Sequence, residues 1–185
     1  MFIQTEETPN PAALKFLPGR SVLSEGVHDF ATREAAAHSP LARLLFEIDG
    51  VAGVFLATEF LTVTKAGDKS WQTLKPMVLG AIMDHFTSGA AVMDEGASTE
   101  SDEMGSDVSE EIVSQIRELI DTRVRPAVAQ DGGDIIYKGF KKGTVYLHLR
   151  GSCAGCPSST ATLKMGIENM LKHYVPEVLQ VEAVM

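Results

Sequence analysis

The residues that could do chemistry are Cys153 and Cys156, the only cysteines in 185 residues, spaced as CxxC in the run Gly151-Ser-Cys-Ala-Gly-Cys-Pro157. Two cysteines three apart cannot staple a fold, so the pair points to metal or redox chemistry. Proline after Cys156 suits the first position of a helix, where its missing N–H would be unpaired anyway, and this puts Cys156 at the N-cap. Sulfur beside unsatisfied amides and the positive end of a helix dipole is expected to ionise more readily than a free thiol near pH 8.5. Gly151 and Gly155 add the slack for backbone amides to turn toward sulfur.

Two thiolates are half a coordination shell. Tetrahedral zinc or an iron–sulfur cluster takes about four protein ligands. Two copies of the loop about a two-fold axis would supply four. A cluster held this way is exposed and easily passed on, which suits a carrier better than an electron-transfer centre. Two other readings stand beside it. A thiol–disulfide oxidoreductase of thioredoxin type expects its CxxC after the first strand of a βαβ unit, whereas this pair follows the second strand of a hairpin. A zinc-stabilised interaction module could recruit His148, although that histidine reads as an ordinary strand-surface residue. His28, His38, His85 and His173 are scattered, and a Cys/His nucleophile would need one of them positioned by the fold. Asp131 and Asp134, flanking two glycines, read as turn residues before they read as a carboxylate pair. Met165 and Met170 read as helix packing. Lys69-Ser70 lacks the upstream glycines of a phosphate loop.

The elements that must hold this loop lie in the last 79 residues. Ile112, Ile116, Leu119, Ile120, Val124 and Val128 recur at three and four, predicting a long helix whose last turn Pro126 leaves open. It ends at Asp131-Gly132-Gly133-Asp134, where a glycine can take the left-handed conformation. Residues 135–141 and 144–150 predict a hairpin with Val145, Leu147 and Leu149 on one face and Tyr146, His148 and Arg150 on the other. A helix after Pro157 carries Leu163, Ile167, Met170, Leu171 and Tyr174 inward, and residues 178–184 form a last strand. The order is αββαβ.

Upstream, residues 2–6 and 14–17 predict strands around Thr8-Pro9-Asn10-Pro11. Residues 40–47 predict a helix, 51–56 and 60–64 paired strands, and 71–86 a helix striped by Leu74, Val78, Ile82 and Phe86, with Pro76 marking a kink or a fresh start. The whole reads as α+β: two small α/β-sandwich-type domains, 1–93 and 107–185, joined by a flexible acidic linker, 94–106. Net charge is −9, divided as −3 over residues 1–93, −8 over 94–111 and +2 over 112–185. An 18-residue coil of that composition would span roughly 25 Å. Neither domain carries the concentrated basic face that nucleic acid requires, and no apolar run approaches the roughly 18 residues of a membrane span. The expectation is therefore no nucleic-acid and no membrane partner. The start, MFIQTEETPNP, carries no targeting signal, which favours a bacterial cytoplasm; a mature mitochondrial matrix form trimmed of its transit segment would look the same.

The run RPAVAQDGGDIIYKGFKKGTVYLHLRGSCAGCPSSTATLKMGIENML, residues 125–171, closely resembles the C-terminal domain of NifU-like proteins, the Nfu-type iron–sulfur scaffolds and carriers. TEETPNPAALKFLPG, PLARLLFEIDGV and WxxLKPMVLGAIMDHF in residues 1 to about 90 resemble their N-terminal domain. The resemblance implies that Cys153 and Cys156 ligate a [4Fe–4S] cluster shared across a homodimer, and that the protein is no enzyme but hands the cluster to apo iron–sulfur proteins after upstream assembly proteins supply it. The nitrogen-fixation relatives carry additional cysteine-bearing domains, so a general assembly role is expected here. Residues 1–93 hold no cysteine and no ligand cluster, and partner docking is the expectation for them.

Overall fold

A computed structural model describes residues 1–96, 103–154 and 157–184, with only the backbone described at 157–159. The chain divides into two compact units, Met1–Thr99 and Glu100–Met185.

The first unit is an antiparallel sheet covered by helices. Strands β1 (Gln4–Glu7), β2 (Ala13–Leu17), β3 (His28–Phe30), β4 (Val51–Leu56) and β5 (Leu61–Lys65) lie in the order β1-β2-β5-β4-β3. Helices α1 (Pro40–Phe46) and α2 (Trp71–Ser88) bury Leu41, Leu45, Val78 and Ile82 against Phe16, Val54, Leu61 and Val63. Ser39 caps α1, its Oγ accepting from the Ala42 N–H at 3.1 Å while donating to the Val92 carbonyl at 2.7 Å. The helix α2 runs unbroken through Pro76, where the sequence suggested a kink or fresh start. One missing N–H removes one ladder bond, and the buried stripe Leu74, Val78, Ile82 and Phe86 holds the helix together across it. Strand β3 and the 3-10 turn at Ala35–His38 are further elements that hydropathy periodicity missed.

The second unit is a two-layer sandwich. Helix α3 (Glu110–Leu119) continues through a wider π-type turn, Ile120–Val124, into α4 (Arg125–Gln130), with Pro126 in the first turn of α4. Strands β7 (Gly133–Lys141) and β8 (Thr144–Gly151) form the hairpin, α5 (Pro157–Tyr174) crosses over, and β9 (Gln180–Val184) returns parallel to β8. Lys142 and Gly143 both have positive φ, 51° and 77°, as a two-residue type I′ connection requires. Val145, Leu147 and Leu149 face the helices and are buried, while Tyr146, His148 and Arg150 face away and are half-exposed. Ile116, Ile120, Val124, Val128, Ile167 and Leu171 complete the core.

One boundary differs. Gly105 and Ser106, assigned to the linker by composition, form strand β6, parallel to Gly139 and Phe140 of β7, and Met104 N–H donates to the Lys138 carbonyl at 2.6 Å. A glycine–serine pair carries no hydropathy signal, and the open edge of β7 supplies the backbone partners that make it a strand. The segment 97–102 lies outside the described residues. Among the described residues no helix is long and apolar enough to cross a membrane.

Candidate functional site

Helix α4 ends in the turn Asp131-Gly132-Gly133-Asp134, with Gly132 at φ 81° and its N–H on the Ala129 carbonyl at 3.1 Å. Strand β7 starts at once, pairing Gly133 with Gly151 and Asp134 with Arg150. Gly151, at φ 68°, then turns the chain out of β8. The loop that follows is sewn to the turn: Ser152 N–H donates to the Gly132 carbonyl at 3.2 Å, and Ser152 Oγ donates to the Asp131 carbonyl in a short bond. Ala154 N–H closes onto the Gly151 carbonyl at 3.1 Å, and Thr160 Oγ1 of α5 donates to the Cys153 carbonyl at 3.0 Å. These bonds hold Cys153 at its own carbonyl and through its two chain neighbours, Ser152 and Ala154.

Cys153 is only 7% exposed and belongs to the core that includes Leu149 and Ile135. Burial pushes its thiol up to about 11; the Ser152 bond opposes this and the nearby Asp131 and Asp134 reinforce it. This corrects the expectation of a helix-activated thiolate at this position. Desolvation of an ionised sulfur outweighs the dipole of a helix that begins four residues later. Cys156, and the N-cap role expected of it, lie outside the described residues; α5 begins at Pro157.

The two aspartates do different work. Asp134, buried at 4% exposure, receives Arg125 of α4 in a forked pair, Nε to Oδ1 at 2.9 Å and Nη2 to Oδ2 at 3.0 Å. Asp134 is thus more than the turn residue the sequence suggested: it ties the helix to the first pair of the hairpin. Asp131 contributes its carbonyl to Ser152. Arg125 and Gly133 are the supporting residues the sequence reading missed; the DGGD run was the available signal, but it does not say which atoms it supports.

His148 sits on the helix-free face of the sheet, and burial, with Arg150 and Lys138 beside it, lowers its pKa. His85 is buried within α2 of the first unit, its pKa lowered by burial. Met170 packs against the core as expected, whereas Met165 is 65% exposed. Among the described residues, no three His, Cys, Asp or Glu side chains come together as a metal site. The donor set of one chain fits a sulfur-ligated group only as a partial shell, Cys153 in its fixed seat and Cys156 by its place in the sequence.

Two families match the chain in succession. The family described as scaffold protein Nfu/NifU N terminal matches residues 3–89, and the NifU-like domain matches residues 116–182. The chain is 54% identical, over its full length, to the "NFU1 iron-sulfur cluster scaffold homolog, mitochondrial" of Homo sapiens, of which it covers 72%. It is 50% identical over 98% of its length to the "NifU-like protein 4, mitochondrial" of Arabidopsis thaliana, covering 65% of that protein. The homolog from Drosophila sechellia is 49% identical and is likewise covered over 65%. A solution structure of a NifU-like protein from Saccharomyces cerevisiae aligns with 51% of this chain and 86% of that one, at 27% identity and a TM-score of 0.44. Domain order and identity over the full length of the chain place it in the Nfu-type, NifU-like family of scaffold proteins.

Proposed function

We propose that this chain is a non-catalytic scaffold and carrier whose cargo is a [4Fe–4S] cluster, held by Cys153 and Cys156 together with the same two residues of a second copy, and handed to apo iron–sulfur proteins. The observation that carries the reading is the seat of Cys153, buried and held at its carbonyl by Thr160 and through its neighbours Ser152 and Ala154, yet, among the described residues, without a complete ligand set from its own chain. The names of the relatives above, which speak of iron–sulfur cluster scaffolds, support it. The place of the pair after the second strand of a hairpin, and not after the first strand of a βαβ unit, speaks against a thioredoxin-type oxidoreductase. Upstream assembly proteins supply the cluster. The first unit serves as a docking element that brings recipients near the loop, and the acidic tether sets the local concentration. The compartment is a bacterial cytoplasm or a mitochondrial matrix; the relatives are named as mitochondrial, which fits the second.

The test is anaerobic reconstitution with iron and sulfide analysis and mass in solution. About two irons per chain in a dimer is the expected result, abolished by Cys153→Ser or by Cys156→Ser alone. An iron-loaded single chain, or one that keeps its iron without either sulfur, refutes the reading.

A further inference from the structure

The DGGD turn holds two adjacent glycines, and only one of them is explained by its backbone. Gly132 has φ 81°, a conformation that side chains resist. Gly133 is buried, has no such conformation, and starts a strand where most residues would serve as well. What it lacks is room. A Cβ built on Gly133 would lie 2.7 Å from Cys153 Sγ, 3.3 Å from Cys153 Cβ and 2.6 Å from the Arg150 carbonyl oxygen. The sulfur therefore occupies the volume a side chain at 133 would fill.

From this contact we infer that Gly133 is a positioning residue for the cargo site: the absent side chain is the socket in which Cys153 Sγ sits. The inference rests on the reading of Cys153 as a cluster ligand and deepens it. The seat is fixed by its surroundings: Ser152, next to Cys153 in the chain, is tied to Asp131 and Gly132, and Gly133 is paired with Gly151. Arg125 holds the turn from below through Asp134. An alanine at 133 cannot be met by swinging a flexible side-chain end aside, because the Arg150 oxygen is main chain and Cys153 is held at its carbonyl by Thr160. The sulfur has to leave its seat.

The experiment uses the full chain carrying Cys156→Ser, so that Cys153 is its only thiol, and measures alkylation by iodoacetamide under native conditions at one fixed pH. Gly133→Ala should raise the rate by about tenfold or more while far-UV circular dichroism stays unchanged, because the sulfur exchanges a buried seat for solvent. In the chain with both cysteines, the same substitution should lower iron and sulfide retained after reconstitution. A role confined to strand pairing would lower the melting temperature and leave the alkylation of folded protein as it was. Unchanged alkylation overturns the inference, and so does faster alkylation with undiminished iron. If Gly133→Ala does not fold, Gly133→Ala with Cys153→Gly decides: recovered folding supports the socket, and continued failure assigns the glycine to the Arg150 contact and overturns it. A wild-type chain that takes up no cluster refutes the proposed cargo instead, and the alkylation result still decides what Gly133 does.

Discussion

Replacing Arg125 by Met keeps the apolar stem of the side chain and removes the guanidinium that makes both bonds to Asp134. The Asp134 side chain is 6% exposed, so its carboxylate would be left buried without a partner. Breaking a fully buried ion pair from one side costs about 3–5 kcal/mol. The Arg125 side chain is 39% exposed, so water reaches the vacated end and the cost falls to the bottom of that range or just under it, about 2–3 kcal/mol. The Asp121 contact at 3.3 Å is exposed on both sides and adds little. With a urea slope of about 1 kcal/mol per molar for a unit of this size, the midpoint of the second unit should fall by about 2–3 M. Far-UV circular dichroism follows it, while fluorescence of the only tryptophan, Trp71, reports the first unit. Arg125→Met with Asp134→Asn should recover part of the loss, since the uncompensated charge is gone, giving a coupling of about 1–2 kcal/mol. A shift below about 0.5 M for Arg125→Met, or strict additivity in the double variant, refutes the clamp as the anchor of the DGGD turn.

Two further outcomes follow from single groups. The Cys153 pKa is raised on folding from 9.0 to about 11, so the folded chain holds more protons than the unfolded one between those values. That contribution is present below pH 9 and is lost as pH rises through 11; the metal-free chain should lose up to about 3 kcal/mol across the window. Tyr137, also raised by burial, acts in the same direction, so the measure is the difference in urea midpoints between wild type and Cys153→Ala; parallel pH profiles for the two would contradict the burial argument. In the first unit, Ser39→Ala removes a cap and leaves the Val92 carbonyl without its donor, costing about 2 kcal/mol. Trp71 fluorescence during urea unfolding reads it, and a loss under about 0.5 kcal/mol would mean the cap is not a fixed part of the unit.

Much of the architecture was legible because it rests on periodicity. The alternation along residues 144–150 predicted the buried face of β8, and Lys142-Gly143 marked the hairpin turn, since both signals are local to the chain. Elements with short or mixed sequence were not legible. His28–Phe30 is three residues long, and Gly105–Ser106 is a strand only because β7 offers it an open edge. Pro76 does not begin a fresh helix, because the stripe that α2 buries on both sides of it outweighs one lost bond. At the site, the cysteine pair was evident from spacing, but the state of Cys153 was not. A helix dipole is legible from neighbours in sequence, whereas the Cys153 pKa is set mainly by neighbours in space, the packed core first and then two aspartates. The roles of Arg125 and Gly133 were hidden for the same reason: each is defined by a contact with a residue nine or twenty positions away.

The parallel pairing of Gly105 and Ser106 with Gly139 and Phe140 settles where the acidic tether takes hold. It grips β7 near the hairpin end, six residues or about 20 Å along the strand from the glycine against which Cys153 rests. Under the proposed docking role of the first unit, tension from a captured recipient would enter the sheet at the end remote from the sulfur. A grip at that end would insulate the thiol mechanically, so that on the proposed function a pull on the chain upstream of Gly105 leaves the sulfur that releases the cargo at rest.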